Sequence, residues 1–159
     1  MRRVALFLAA FLALPACGFH LRGEAPLPAV MARPWIDTKD RYSPLYAALT
    51  QRLTAAGATL APNSSDASAV LSLHLDDTGR ELLSVTADNK PGEYEVYYAA
   101  EFSVSSGAAE LLSRQQVKLT RQYGYDETAV LAKQHEEESL RDALAEEIAD
   151  LIMRRLAAL

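Results

Sequence analysis

Cysteine is almost absent from this chain: Cys17 is the single cysteine among 159 residues. One cysteine cannot form an internal disulfide, so cysteine content alone does not define the redox compartment.

The chain also has no surplus of basic residues, because it contains 16 Lys and Arg against 21 Asp and Glu and its formal net charge is −5. This acidic balance argues against a general nucleic-acid-binding protein, which concentrates Lys and Arg on one face. We therefore expect no nucleic-acid partner.

The residues that usually carry catalysis or bind metals are sparse. The three histidines, His20, His74 and His135, lie far apart, and no pair has the i, i+4 spacing of a helical zinc site. No glycine-rich phosphate loop and no Gly-x-Ser-x-Gly nucleophile motif occurs. The adjacent carboxylates Asp76 and Asp77 would point to opposite faces of a strand. The sequence therefore predicts no metal, no cofactor and no enzymatic activity.

A long apolar run occurs at the N-terminus, where Val4 to Leu14 follows the basic start Met1-Arg2-Arg3. A charged start, a short apolar segment and a small residue before a break are typical of a secretory signal peptide. The run is shorter than the roughly 20 residues that a bilayer-spanning helix needs. We predict that residues 1–16 are a lipoprotein signal peptide and that residues 17–159 form a single domain. Removal of two arginines with the peptide would make the mature chain more acidic.

The four residues Leu14-Pro15-Ala16-Cys17 resemble a bacterial lipobox, in which the peptidase cuts just before a lipid-modified cysteine. Cys17 is therefore the predicted lipidation site, and the alternative is a plain signal peptide with an unmodified cysteine. Each buried CH₂ of an acyl chain contributes about 0.8 kcal/mol, so more than one chain attaches a protein to a membrane permanently. The next residue is Gly18 rather than Asp, which by resemblance to Gram-negative sorting rules implies the outer membrane.

Two helices are predicted. Ser43 is a good N-cap, Pro44 suits the first helical position, and Gly57 provides a C-terminal stop. The second helix is expected to run from Glu136 to Leu156. Its Glu136-Glu137-Glu138 start favours the helix dipole, and we interpret these glutamates as solvated. Apolar residues at helical spacing mark the expected buried faces, which are Leu45, Leu49 and Leu53 in the first helix and Leu140, Leu144, Ile148, Leu151 and Ile152 in the second.

Strand patterns occupy much of the remaining chain. Alternation and the weighting toward aromatic and β-branched residues favour strands, and a strong turn signal lies at residues 88–92. The predicted strands are Gly18 to Arg22, a short edge strand within Val30 to Ile36, Ala69 to Leu75 with its leucines on one face, an extension over Glu81 to Thr86, Glu93 to Val104, and Ser113 to Tyr125. The sequence predicts an α+β two-layer sandwich, in which a mainly antiparallel sheet of about four strands packs against two helices.

The heptapeptide Cys17-Gly18-Phe19-His20-Leu21-Arg22-Gly23 resembles the mature N-terminus of the LPS-assembly lipoproteins, the LptE family. The order of the predicted elements and the hairpin segment Ser84 to Val96 are also similar to that family. The resemblance implies a lipoprotein at the periplasmic face of the outer membrane. It further implies that the protein plugs and helps assemble a large β-barrel, the LptD translocon, and that it binds lipopolysaccharide during transport to the outer leaflet.

Basic residues are implied to make the lipopolysaccharide contact. Lys133 matches one such position, because residues 130–133 align with the family's Ala-Leu-Ala-Lys ahead of the last helix. The second position falls at Ala87, where this chain departs from the family, and Lys90 or Arg80 is the candidate substitute. The predicted lipopolysaccharide-binding residues are therefore Lys133, Lys90 and Arg80. Tyr94, Tyr97 and Tyr98 are candidate aromatic anchors in the barrel, although packing within the sheet is the preferred interpretation.

Two alternatives from other functional classes remain open at this point. One is a periplasmic lipoprotein that carries a small apolar ligand without a barrel partner, which predicts a deep apolar cavity. The other, weaker alternative is a hydrolase that uses Asp76 or His74.

Overall fold

The computed structural model describes residues 26–159, which form four strands and two helices. The predicted signal peptide, Cys17 and the strand predicted at Gly18 to Arg22 lie outside the described residues. In chain order the elements are β1 (Pro34–Asp37), α1 (Pro44–Ala55), β2 (Ala69–Val85), β3 (Pro91–Ser106), β4 (Ala109–Gly124) and α2 (Val130–Leu156). Short 3-10 turns occur at Ala29–Met31, Ser64–Asp66 and Glu127–Ala129.

The four strands form one sheet in the order β1-β2-β3-β4. The β2–β3 and β3–β4 pairs are antiparallel, whereas β1 is parallel to β2 and pairs with its first residues, Ala69 to Ser72. The predicted α+β class with a mainly antiparallel sheet and two helices is confirmed. The two strand segments predicted over residues 69–86 form one continuous strand. The edge strand is Pro34–Asp37, so it begins within the predicted stretch and ends one residue beyond it.

Helix α1 begins and ends where its capping residues predict. The Ser43 hydroxyl accepts a hydrogen bond from the Tyr46 backbone N–H at 3.1 Å, and Pro44 occupies the first helical position. Gly57, with a φ of +87°, takes the left-handed conformation that ends many helices. The predicted apolar face is confirmed, since three leucines of α1 are fully buried, namely Leu45, Leu49 and Leu53.

Helix α2 begins at Val130, six positions before the predicted start at Glu136. The Asp126 side chain caps the preceding 3-10 turn by accepting a hydrogen bond from the Thr128 backbone N–H at 2.8 Å, and the turn continues into the helix. The predicted buried face is confirmed, with Leu144, Ile148 and Ile152 fully buried and Leu140 and Leu151 packed beside them. Neither helix within residues 26–159 is long and apolar enough to cross a membrane.

A bulge in β2 changes which residues face the helices. Leu71 and Leu73 are buried, but the pairing register with β3 shifts between Leu73 and Leu75. An extra residue in a bulge reverses the alternation of side chains. The alternation predicts that Leu75 shares one face with Leu71 and Leu73, and that prediction is wrong, because Leu75 is 37% exposed and Asp76 takes the helix-facing position instead.

Asp76 links the sheet to the start of α1. Its carboxylate accepts hydrogen bonds from the Tyr98 hydroxyl at 2.7 Å and from the Ser43 hydroxyl at 2.5 Å. The Leu45 backbone N–H donates to the Tyr98 oxygen at 3.3 Å. Burial of the Tyr98 ring, together with the hydrogen bond to Asp76, raises the pKa of that hydroxyl strongly. The N-terminus of α1 therefore lies at the middle of the sheet.

The two helices cover different lengths of the sheet. Helix α1 has 12 residues and α2 has 27, which correspond to about 18 Å and about 40 Å. Arg52 of α1 forms ion pairs with Glu146 and Asp150 in the C-terminal half of α2, at 2.7 Å and 3.1 Å. The hairpin of β2 and β3 therefore extends past the shorter helix α1. Consistent with this incomplete coverage, no residue of β2 after Leu73 is buried.

Candidate functional site

The tip of the β2–β3 hairpin meets the start of α2. The Tyr125 backbone N–H donates to the Gly92 carbonyl at 2.8 Å, and side-chain ion pairs join the hairpin to residues 127 and 137. We call this region the distal surface and define it as residues 80–94 and 123–137. It contains all three basic residues that the sequence singles out.

Lys90 lies in the tight turn that joins β2 to β3. The Thr86 backbone N–H donates to the Lys90 carbonyl at 2.7 Å, and Asn89 adopts a positive φ of 59°, which asparagine tolerates better than most residues. The Lys90 ammonium lies 2.6 Å from a carboxylate oxygen of Glu127. The hydrogen bond and the charge of Glu127 raise the pKa of Lys90. The predicted turn is confirmed, and its cation is paired with the segment that precedes α2.

Lys133 belongs to the first turn of α2 rather than to a segment before the helix. Its ammonium lies 2.8 Å from a carboxylate oxygen of Glu136, and its side chain is 23% exposed. Hydrogen bonds from Thr128 lower the pKa of Asp126, and the charge of Lys133 contributes to the same shift. Lys133 is therefore surrounded by carboxylates on the turn and on the helix.

Arg80 projects from β2 toward α2 and forms an ion pair with Glu137 at 2.7 Å. Glu137 is 6% exposed, so the prediction that all three glutamates at positions 136–138 are solvated is wrong for this one. It also accepts a hydrogen bond from the Tyr123 hydroxyl at 2.8 Å and pairs with Arg141 one turn along the helix. Burial alone would raise the pKa of Glu137, but the hydrogen bonds and the two arginine charges outweigh it and hold the pKa below its ordinary value.

The tyrosines occupy three different environments. Tyr98 is 1% exposed and belongs to the core. Tyr94 lies in the distal surface, where its ring stacks on Tyr123 with a centroid distance of 5.9 Å and meets Tyr125 edge-on at 5.3 Å. The Arg80 guanidinium lies 4.6 Å from the Tyr94 centroid. Tyr97 points to the opposite face of the sheet, so the three candidate anchors do not form one surface.

Exposed apolar side chains concentrate at the same end of the molecule. Of the eight large apolar side chains that are exposed among the described residues, five lie in the distal surface, namely Leu82, Leu83, Val85, Val130 and Leu131. Leu131 is 74% exposed. Solvent exposure of apolar residues next to cations marks a candidate interaction surface. Sequence reasoning missed this feature, because exposure depends on where the hairpin ends relative to the helices.

Other groups considered from the sequence have local structural roles. His74 forms a 2.8 Å hydrogen bond with Ser103, while Asp76 is bonded to Tyr98 and Ser43. Within residues 26–159, no group of three or more His, Cys, Asp or Glu side chains is placed to hold a metal ion. An open cleft of about 370 Å³ lies at the edge of the distal surface. Four of its five lining residues are charged, and the full set is Arg80, Gln134, Glu137, Glu138 and Arg141.

The fold belongs to a class of bacterial lipoprotein domains with known structures. The solution structure of an uncharacterized lipoprotein B from Nitrosomonas europaea matches with a TM-score of 0.71 and 25% identity, over 89% of this chain and 91% of that one. The crystal structure of the rare lipoprotein B from Shewanella oneidensis matches with a TM-score of 0.69 and 27% identity, over 79% of this chain and 94% of that one.

Sequence comparison identifies the family. The family model described as "LptE: Lipopolysaccharide-assembly" matches residues 35–156. The LPS-assembly lipoprotein LptE of Pectobacterium atrosepticum is 27% identical and that of Photorhabdus laumondii 28% identical, each over 92% of this chain and 80% of the relative. This chain therefore belongs to the LptE family of lipopolysaccharide-assembly lipoproteins, as its N-terminal heptapeptide and element order predicted.

Proposed function

We propose that this protein is an outer-membrane lipoprotein, anchored through Cys17, that plugs and helps assemble an LptD-type β-barrel and binds lipopolysaccharide through its distal surface. Family membership and the names of its relatives support a role in lipopolysaccharide assembly. The predicted anchor would hold the domain at the periplasmic side of the membrane, within the barrel.

The observation that carries the binding proposal is the combination of cations and exposed apolar side chains at one end. Lys90, Lys133 and Arg80 lie in the distal surface, which also exposes Leu82 and Leu131. Lipopolysaccharide is an amphiphile with phosphate groups and acyl chains. Lysine and arginine form charge-assisted hydrogen bonds with phosphate, and apolar contacts contribute about 25 cal/mol for each Å² removed from water. The distal surface offers both kinds of contact.

The opposite face of the sheet supports the proposed barrel partner. Side chains that point away from both helices are largely polar there: the Tyr97 hydroxyl donates to Asp77 at 3.3 Å, and Lys118 lies 4.7 Å from the Tyr97 centroid. Lys118 is also 3.9 Å from Glu81. A polar face of this kind fits the polar interior of a large barrel better than lipid or a second apolar layer.

Binding is tested with purified protein and vesicles that contain lipopolysaccharide. We expect Lys133→Glu to weaken binding without unfolding the domain, because its side chain contributes charge rather than core packing. The matched control is Lys118→Glu, which makes the same charge change on the helix-free face. If both variants bind as the unaltered protein does, the distal surface is not the binding site.

The barrel partner is tested by purifying the full-length lipoprotein from detergent-solubilised outer membranes and identifying what comes with it by mass spectrometry. We expect a β-barrel protein in a stable complex, and depletion of the lipoprotein should leave that barrel misassembled. Recovery of the lipoprotein alone, with normal barrel assembly, would overturn this part of the proposal.

A further inference from the structure

The outer edge of β2 is paired over only a small part of its length. Strand β1 pairs with β2 as far as Ser72, and within residues 26–159 no strand pairs with that edge from Leu73 to Val85. A groove of about 180 Å³ lies between residues 38–40 and the β2 edge, because the chain turns away from the sheet after β1. The register with β3 shifts at both ends of this stretch but is continuous from Leu75 to Leu82. This continuous segment therefore presents unpaired N–H and C=O groups on its outer side.

The two edges of the sheet differ in how they are protected. Strand β4, at the opposite edge, carries Arg114, Lys118 and Arg121, and none of the exposed large apolar side chains in the described part of the chain belongs to it. The β2 segment from Leu75 to Leu82 has no Lys or Pro, and both of its terminal leucines are exposed. Its one basic residue, Arg80, is turned toward α2. Basic side chains and proline discourage pairing at an edge, so the β2 segment is the edge that remains open to another strand.

The charges beside the β2 edge indicate which kind of strand fits it. Asp77 and Glu81 lie on the helix-free face, where Asp77 accepts a hydrogen bond from Tyr97 and Glu81 lies 3.9 Å from Lys118. Glu95 is opposite Glu81 in the pairing with β3. A second copy of β2, paired here with its helices on the same side, would add two more carboxylates to this face, and like charges side by side destabilise a sheet. The edge therefore fits a basic strand and not a second copy of this chain.

We propose that the β2 edge from Leu75 to Leu82 is a β-augmentation site, which accepts an extended segment of the barrel protein as a fifth strand. This inference rests on the barrel partner of the proposed function. The segment would carry two basic residues four positions apart, as Asp77 and Glu81 are, and an apolar residue beside Leu82 on the other face. In this mode of binding, backbone hydrogen bonds give affinity and the alternating side chains give specificity.

The test places a photoreactive phenylalanine analogue at Leu75 or at Leu82 of the full-length lipoprotein in its native outer membrane. Both positions are exposed and apolar, so an apolar substitute should leave the domain folded. The matched controls are Ser113 and Thr120, which are exposed on β4 at the opposite edge and have the same separation in the sequence. Mass spectrometry identifies the crosslinked peptides.

We expect Leu75 and Leu82 to crosslink to one segment of the barrel protein, at residues about seven positions apart, because paired strands advance together. The β4 controls should not give two crosslinks with this spacing. Crosslinks scattered along the barrel protein would show contact without strand pairing. Crosslinks to residues 18–25 would show that this chain covers its own edge, and crosslinks to a second copy would show self-pairing. Each of these three outcomes overturns the proposal.

Failure of the edge site is distinguishable from failure of the proposed function. If the barrel protein is recovered with the lipoprotein but neither leucine position crosslinks to it, the edge site is rejected and the barrel partner remains. If no barrel protein is recovered at all, both are rejected.

The charge of the docked segment is tested by Asp77→Lys combined with Glu81→Lys. Loss of two surface ion pairs should lower the docking equilibrium constant by about 2-fold to 30-fold, so the crosslink from Leu82 should weaken. The control is Glu110→Lys combined with Asp142→Lys, which makes the same charge change at two exposed positions away from this edge. An unchanged crosslink from Leu82, or an equal decrease in the control, would overturn the assignment of a basic segment.

Discussion

Arg80 and Glu137 lie 57 positions apart in the sequence, and their side chains meet at 2.7 Å between the hairpin and α2. Glu137 is buried. It forms a second ion pair with the Arg141 guanidinium and accepts a hydrogen bond from the Tyr123 hydroxyl. Arg80 also lies over the Tyr94 ring. This contact joins the part of the hairpin beyond α1 to the helix, and so it fixes the position of the basic turn relative to Lys133.

Replacing Glu137 with Gln should destabilise the domain. The amide can still accept a hydrogen bond from Tyr123, but the two arginines lose their shared counter-charge. We expect the free energy of unfolding to fall by about 1–2 kcal/mol, because hydrogen bonds to charged groups are the stronger ones and both arginines are partly exposed. Urea unfolding measures the change. Glu138→Gln, which alters an exposed neighbour, should stay within about 0.5 kcal/mol, and an equal loss in both variants would contradict a specific role for Glu137.

The contribution of Glu137 should depend on pH. The pKa of Glu137 is lowered in the folded protein from its ordinary value of 4.5. A lowered carboxyl pKa gives stability that is present above the ordinary value and is lost as the pH falls through the folded-state value. The difference in unfolding free energy between the unaltered protein and Glu137→Gln should be constant from pH 5.5 to about pH 7 and should shrink toward about pH 3. Urea titrations at several pH values provide the measurement, and a difference that grows on acidification would contradict it.

Tyr98 and Tyr97 are adjacent residues for which loss of the hydroxyl should reduce stability by different amounts. Tyr98→Phe removes a buried hydrogen bond to Asp76 and an acceptor for the Leu45 N–H, so we expect a loss of about 1–2 kcal/mol. Tyr97→Phe removes an exposed 3.3 Å contact with Asp77 and should cost less than about 0.5 kcal/mol. Thermal unfolding of the two variants makes the comparison, and equal melting temperatures would show that the Asp76 contact does not stabilise the fold.

Gly79 lies under the Tyr97 ring, and a Cβ atom there would sit 2.8 Å from the Tyr97 oxygen. Gly79→Ala should therefore destabilise the domain by about 1 kcal/mol, because the ring must move away and lose its contact with Lys118. In a Tyr97→Ala background the same substitution should be neutral or stabilising, since glycine weakens a strand. A double-mutant cycle by urea unfolding measures this coupling. Additive effects would show that the ring does not restrict this position.

Local signals in the sequence predict much of the fold. Ser43, Pro44 and Gly57 define both ends of α1 because capping depends on residues close in sequence. The bulge at Leu75 has no such signal, because a shift in register arises from pairing with β3. The early start of α2 was not predicted for a different reason. Asp126 caps a 3-10 turn, and this turn precedes the helix and continues into it.

The candidate site was predictable in part. Lys90, Lys133 and Arg80 were selected by family resemblance, and the structure brings them to the distal surface. Their carboxylate partners were not predicted, because the contacts of Glu127 and Glu137 with the hairpin depend on how α2 lies against the sheet. An acidic run at a helix start looks the same in sequence whether it is solvated or buried. Only the tertiary arrangement determines that Glu137 is buried whereas Glu136 and Glu138 are exposed.

Helix α1 reaches only the middle of the sheet, and this unequal coverage divides the domain into two parts of different stability. The half under both helices contains the fully buried leucines, whereas β2 has no buried residue beyond Leu73 and its far end contacts α2 rather than α1. Segments with few buried contacts open locally at lower free energy than the core does. Amide hydrogen exchange should therefore be fastest toward the hairpin turn, and that end can adjust its shape to a ligand or a surrounding wall while the other half remains folded.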